Sequence, residues 1–254
     1  MTTRSVAHGT AHVATAALAA ALAMPAFAAH PFVTEDPGTQ GTGRFELEMG
    51  AAARQGAPDM DGREVGVFPQ LSIGAAPNVD LIAQSIWLRQ SPSTGPAVSG
   101  HAGLLADVKW RFHEWEGGAL AVRAGLDLPV GDGDTGFGSG RVGYHAIAIA
   151  GLTFGDYAVY ANAAYARVPE PGTRANLGLF SVALTRPDDA PLKSFIEAAT
   201  ASNPDPGRSQ WPAFARAGFI CTVTPWLDVD VGYQARLNRA AARQIWLAGA
   251  TLRW

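Results

Sequence analysis

The sequence predicts an all-β protein, an antiparallel transmembrane β-barrel of about twelve strands behind an export signal. Three observations lead there. Apolar and polar residues alternate one for one through segment after segment, the period of a strand and not of a helix. Those segments run to about ten to twelve residues, which suits a tilted crossing of a bilayer and exceeds the usual soluble strand. Aromatic residues sit toward the ends of the apolar faces: Trp110 and Phe112, Tyr157 and Tyr165, Trp246 and Trp254. Girdles at two membrane interfaces have that layout.

The first element is a targeting segment. Arg4 precedes a short apolar core from Val13 to Met24, and Ala26 to Ala28 supply small residues for cleavage. Residues 1–28 are therefore expected to be removed as a signal peptide. Residues 29–43 follow, and His30 to Gly43 ("HPFVTEDPGTQGTG") is rich in Pro, Gly and Thr. This reads as an extended lead-in, with two placements open to it, a periplasmic tail or a partial plug.

Residues 44–254 hold the alternating segments. Arg44 opens the first, with Phe45, Leu47 and Met49 in phase; Glu64 opens the second; Asn78 opens a third, with Ile82, Ile86 and Leu88 opposite Trp87. The fourth, Leu104 to Trp115, sets Ala106, Val108, Trp110 and Phe112 against Asp107, Lys109, Arg111 and His113. A fifth starts near Ala119 and carries Arg123 and Asp127. Softer alternation continues from Arg141, Tyr157, Ala175, Leu192 and Pro212. Contrast returns from Leu227, where Asp228, Asp230, Gln234 and Arg236 oppose Val229, Val231 and Tyr233, and in the last segment, which ends on Trp254.

Alternation alone does not choose between a soluble sandwich and a membrane barrel. Length, aromatic placement and a final strand ending in phase on an aromatic favour the barrel, with apolar residues toward lipid and polar residues toward the lumen. The expected pore lining is Asp107, Lys109, Arg111, His113, Arg123, Asp127, Asp228, Asp230, Gln234 and Arg236. Mixed signs predict cross-strand pairing and no strong ion preference. The expected partners are outer-membrane lipid, the barrel-assembly machinery through the strand ending at Trp254, and a small-molecule cargo.

Two stretches carry a resemblance: "HPFVTEDPGTQGTGRFELE" (His30 to Glu48) and "LPVGDGDTGFGSG" (Leu128 to Gly140). They resemble the opening segment and a mid-chain glycine-rich loop of the outer-membrane family named for the meta pathway of phenol degradation. The resemblance implies an outer-membrane barrel that takes up or exports small compounds, aromatic or apolar ones among them.

Other classes are weaker. A net charge of −3 gives no electrostatic case for nucleic acid. A single cysteine, Cys221, excludes an internal disulfide framework. "GDGDTG" (Gly131 to Gly136) spells a dinucleotide fingerprint, but Asp132 and Asp134 would repel a pyrophosphate, and a calcium loop would need an acid where Gly143 stands. His30, His101, His113 and His145 show no metal spacing. No cofactor or metal is expected. An outer-membrane lipid-modifying enzyme is the competing reading; His113 and His145 are its strand histidines, and Ser139, Ser181 and Ser194 are scattered. A plugged structural barrel is the third.

Overall fold

The computed structural model describes residues 31–254 apart from 59, 132–136, 139, 171 and 187–190. The expected signal peptide and the aspartates of the glycine-rich loop therefore lie outside the described residues. Twelve strands form one closed antiparallel barrel: β1 (Phe45–Gln55), β2 (Gly62–Ala76), β3 (Val79–Pro92), β4 (Val98–Trp115), β5 (Gly118–Leu128), β6 (Gly143–Phe154), β7 (Tyr157–Arg167), β8 (Asn176–Thr185), β9 (Leu192–Ala201), β10 (Ala213–Thr224), β11 (Leu227–Arg236) and β12 (Gln244–Arg253). Each strand pairs with its sequence neighbours, and β1 pairs with β12 from Glu46/Arg253 to Gln55/Gln244. Closure leaves no edge with unpaired backbone groups, the condition for a sheet to stand in hydrocarbon.

The two ends differ. β1 begins and β12 ends at the same rim, where β2–β3, β4–β5, β6–β7 and β10–β11 are joined by two-residue turns. Two of these use a glycine at positive φ, Gly117 (78°) and Gly155 (54°), the backbone that tight hairpins require. The opposite rim carries the longer connections 56–61, 93–97, 129–142, 168–175, 202–212 and 237–243. Short turns face the periplasm and long loops the exterior in outer-membrane barrels, which orients the molecule.

The outward face is an apolar belt of residues such as Leu81, Val108, Leu126, Val182, Ile196, Phe219 and Val231. Aromatics bound it. Trp110, Phe112, Phe154, Tyr157, Trp226 and Trp254 mark the periplasmic rim, and Trp87, Tyr144, Tyr165, Trp211 and Trp246 the outer one.

The inward face departs from a uniformly polar lumen. Ile86 and Leu88 (β3), Leu105 (β4), Ile147 and Ile149 (β6), Leu177 and Leu179 (β8) and Phe214 (β10) point inward and form one buried cluster. Four of its described members are not wall residues: Phe137, from the 129–142 loop, is fully buried in it, and Val33 from the lead-in, Val168 from the 168–175 connection and Ala241 from the 237–243 connection are buried beside it. Apolar inward faces are stable here because other apolar groups cover them instead of water. β4 also starts earlier than its alternation suggests, at Val98, because the pairing with β3 steps at a bulge between Ile86 and Trp87.

Candidate functional site

The lumen is built from the polar positions of the wall. Lys109 on β4 lies directly across the ladder from Arg123 on β5. Two cations in that position repel each other and need an anion from elsewhere. It comes from the lead-in: Lys109 Nζ donates to Glu35 Oε1 at 2.9 Å, and Arg123 Nη1 donates to Glu35 Oε2 at 2.9 Å. Arg123 also donates through Nε to Asp107 Oδ2 at 2.7 Å and through Nη2 to Gln70 Oε1 at 3.0 Å. His145 stands between Asp107 and Asp127, with Nε2 3.0 Å from Asp107 Oδ1 and Nδ1 2.9 Å from Asp127 Oδ1.

The backbone of the lead-in is seated as firmly as the Glu35 side chain. Glu197 on β9 accepts from the Val33 and Thr34 amides at 2.9 and 2.6 Å. Asn162 on β7 accepts from the Glu35 amide at 2.6 Å and donates to its carbonyl at 2.9 Å, closing a two-bond ring. Arg216 on β10 donates to the Pro31 carbonyl at 2.7 Å and lies 3.6 Å from Glu197. Toward the periplasm, the Gln40 amide donates to Asp80 and the Gly43 amide to Gly74 O. Residues 31–43 thus run up the axis of the barrel as a plug, from the periplasmic rim to the middle. Each buried backbone group named here has a partner, which a segment lying in a dry lumen requires.

Below the plug's upper half a cavity of about 550 Å³ remains on the periplasmic side. Glu46, Glu48, Asp80, Lys193, Asp228 and Arg253 are among its lining residues. Arg253 bridges two of them, donating to Glu46 Oε2 at 2.8 Å and to Asp228 Oδ2 at 2.7 Å. At the outer rim, Val168 and Glu170 in the connection after β7 are buried. Burial pushes the Glu170 carboxyl up to about 7.

The ten residues expected to line a pore fall into three groups. Asp107, Lys109, Arg123, Asp228 and Gln234 are buried on the inward face. Asp127 and Asp230 are partly buried there. Arg111, His113 and Arg236 are at the rims: Arg111 pairs with Glu114 at 3.4 Å, His113 is exposed past a bulge in the β4–β5 register, and Arg236 is exposed at the outer end of β11. Glu35, Asn162, Glu197 and Arg216 belong to the same network and were not expected there. Facing cations on adjacent strands are the one sequence signal that calls for Glu35.

The closed twelve-stranded barrel has parallels among solved structures. The chain is similar to an outer membrane channel from Pseudomonas putida F1, at 12% identity over 86% of this chain and 99% of that one, with a TM-score of 0.65. This is an outer-membrane barrel fold. It is similar also to the NanC porin (9% identity, 81% of this chain and 98% of that one, TM-score 0.60) and to the KdgM porin in complex with disordered oligogalacturonate (7%, 82% and 98%, 0.54). No family model and no curated protein matches the sequence. Within the barrel, the candidate site is the lumen together with residues 31–43, which occupy part of it.

Proposed function

We propose that this barrel is a channel for small compounds, aromatic or apolar ones among them, and that residues 31–43 are its gate. The observation that carries the reading is the plug's manner of attachment. It is held by ion pairs and hydrogen bonds to side chains of many strands, adds no strand to the closed sheet, and borders a periplasmic cavity of about 550 Å³. Such a segment can leave without breaking the barrel. The apolar cluster of the outer half, with Phe137 and Phe214, then offers a surface suited to greasy or aromatic cargo, and the charged lower half to water. The resemblance to the meta-pathway family agrees with such a cargo, and the named neighbours include a channel and porins.

The test is conductance in planar bilayers for the intact protein and for a variant lacking residues 31–41. Step conductance in the truncated barrel, with small or intermittent steps in the intact one, supports the gate. Silence from both at every voltage favours a plugged structural barrel and overturns the channel.

A further inference from the structure

Ser85 and His101 lie on the lipid-facing side of the wall, outside the lumen and its network. Ser85, half-buried on β3, places Oγ 2.8 Å from Nε2 of His101 on β4. The other ring nitrogen of His101, Nδ1, lies 2.8 Å from the carbonyl oxygen of Val130. A carbonyl oxygen can only accept, so Nδ1 carries the proton. In the tautomer whose single ring proton is on Nδ1, His101 turns an unprotonated Nε2 toward the Ser85 hydroxyl, the arrangement in which a base takes the proton of an attacking serine.

The backbone builds this arrangement deliberately. The β3–β4 register steps from Ile86/Gly103 to Trp87/His101 and leaves Ala102 without a partner, a bulge that turns His101 to the outward face. The Trp87 ring packs against His101 at 5.1 Å between centroids and is itself exposed in the outer aromatic girdle. A hydroxyl and an imidazole on a lipid-facing surface are costly, and their hydrogen bonds to each other and to Val130 O offset part of that cost. At the girdle they meet the ester region of a lipid on one side and water on the other.

We propose that Ser85 and His101 are the nucleophile and base of a lipid acyl hydrolase at the outer membrane interface, an activity separate from passage through the lumen. Ser85 Oγ bonds to the ester carbonyl carbon as its proton passes to His101 Nε2. The tetrahedral adduct collapses, the carbon–alkoxy bond breaks, and the alcohol leaves with that proton as a lysolipid. Water, deprotonated by the same nitrogen, then attacks the acyl-serine, releasing the fatty acid and restoring the hydroxyl. Val130 O acts through His101 as a positioning group, and because a carbonyl stabilises imidazolium less than a carboxylate does, turnover is slow.

The experiment uses the full chain, refolded in detergent and in vesicles of phosphatidylethanolamine and phosphatidylglycerol. It reads fatty-acid release and covalent labelling by a fluorophosphonate, located by peptide mass spectrometry. The expected result is label on Ser85 and release of fatty acid, both falling about 100-fold or more in Ser85→Ala and His101→Ala. Ser99→Ala, an exposed serine on the same strand, should leave both unchanged. Heat-modifiable mobility of each variant separates lost chemistry from lost folding. Absence of label and release in the parent, equal activity in Ser85→Ala, or label without release overturns the assignment.

Discussion

Arg123 Nη1 and Glu35 Oε2, 2.9 Å apart, join the barrel wall to a segment 88 positions earlier in the chain. Lys109 shares the same carboxylate, so Glu35 is the counter-charge of two buried cations at once. Removing one partner of a buried pair costs about 3 to 5 kcal/mol when the survivors stay dry. In this molecule the survivors have an escape, because the plug is not part of the sheet. Glu35→Ala is expected to release residues 31–43, let water reach Lys109 and Arg123, and raise single-channel conductance while the heat-modifiable band persists. Unchanged conductance would separate this carboxylate from gating.

Gly74 tests the plug from its other end. A Cβ there would stand 1.8 Å from the Gly41 carbonyl oxygen, a backbone atom with no side-chain freedom to yield. Overpacking of this kind costs about 1 to 3 kcal/mol, and the lead-in, outside the sheet, is cheaper to move than β2. Gly74→Ala should therefore displace the lead-in at the periplasmic rim and increase conductance, with the barrel's thermal unfolding nearly unaltered.

Glu170 gives the connection between β7 and β8 a pH dependence. Its folded pKa, about 7, stands above the ordinary value of 4.5 because burial disfavours the anion. Protonation thus favours the buried position of Glu170: its contribution is whole below about pH 4.5 and is lost as pH rises through about 7. Amide exchange at the bonds Val168 N to Ala175 O and Thr173 N to Glu170 O, corrected for intrinsic rate, should be slower at about pH 5 than at about pH 8. Glu170→Gln should flatten that difference, and a persisting one would assign it to another group.

The seam between β1 and β12 is closed by aromatics. Trp254 stacks on Phe45 with ring centroids 5.8 Å apart and planes 10° from parallel, and their backbones exchange hydrogen bonds. Trp254→Ala is expected to lower stability by about 1 to 3 kcal/mol and reduce the folded, heat-modifiable fraction in cells. Trp254→Phe should recover most of it. If recognition by the assembly machinery depends on this residue, the loss in cells will exceed the loss on refolding in detergent.

The wall was legible because lipid and lumen impose a strict period of two: Asp107, Lys109 and Arg123 are inward as the alternation of their strands requires. β6 was harder to read. There Ala146, Ala148 and Ala150 face outward while Ile147 and Ile149 face the lumen, so both faces are apolar and the contrast is weak. His101 was missed for a geometric reason, since the bulge at Ala102 reverses the parity of the β4 residues before it. The lead-in has no period at all. Its partners are single side chains at differing heights on strands far apart in sequence, an arrangement that exists only in three dimensions.

That arrangement has a consequence for biogenesis. The cradle of residues 31–43 draws on Gly74, Asp80, Lys109, Arg123, Asn162, Glu197 and Arg216, spread from β2 to β10. No nascent hairpin offers more than a fraction of it, so a segment synthesised before every strand must be among the last to dock. Its arrival is a natural timer, marking the moment when the ring has come together.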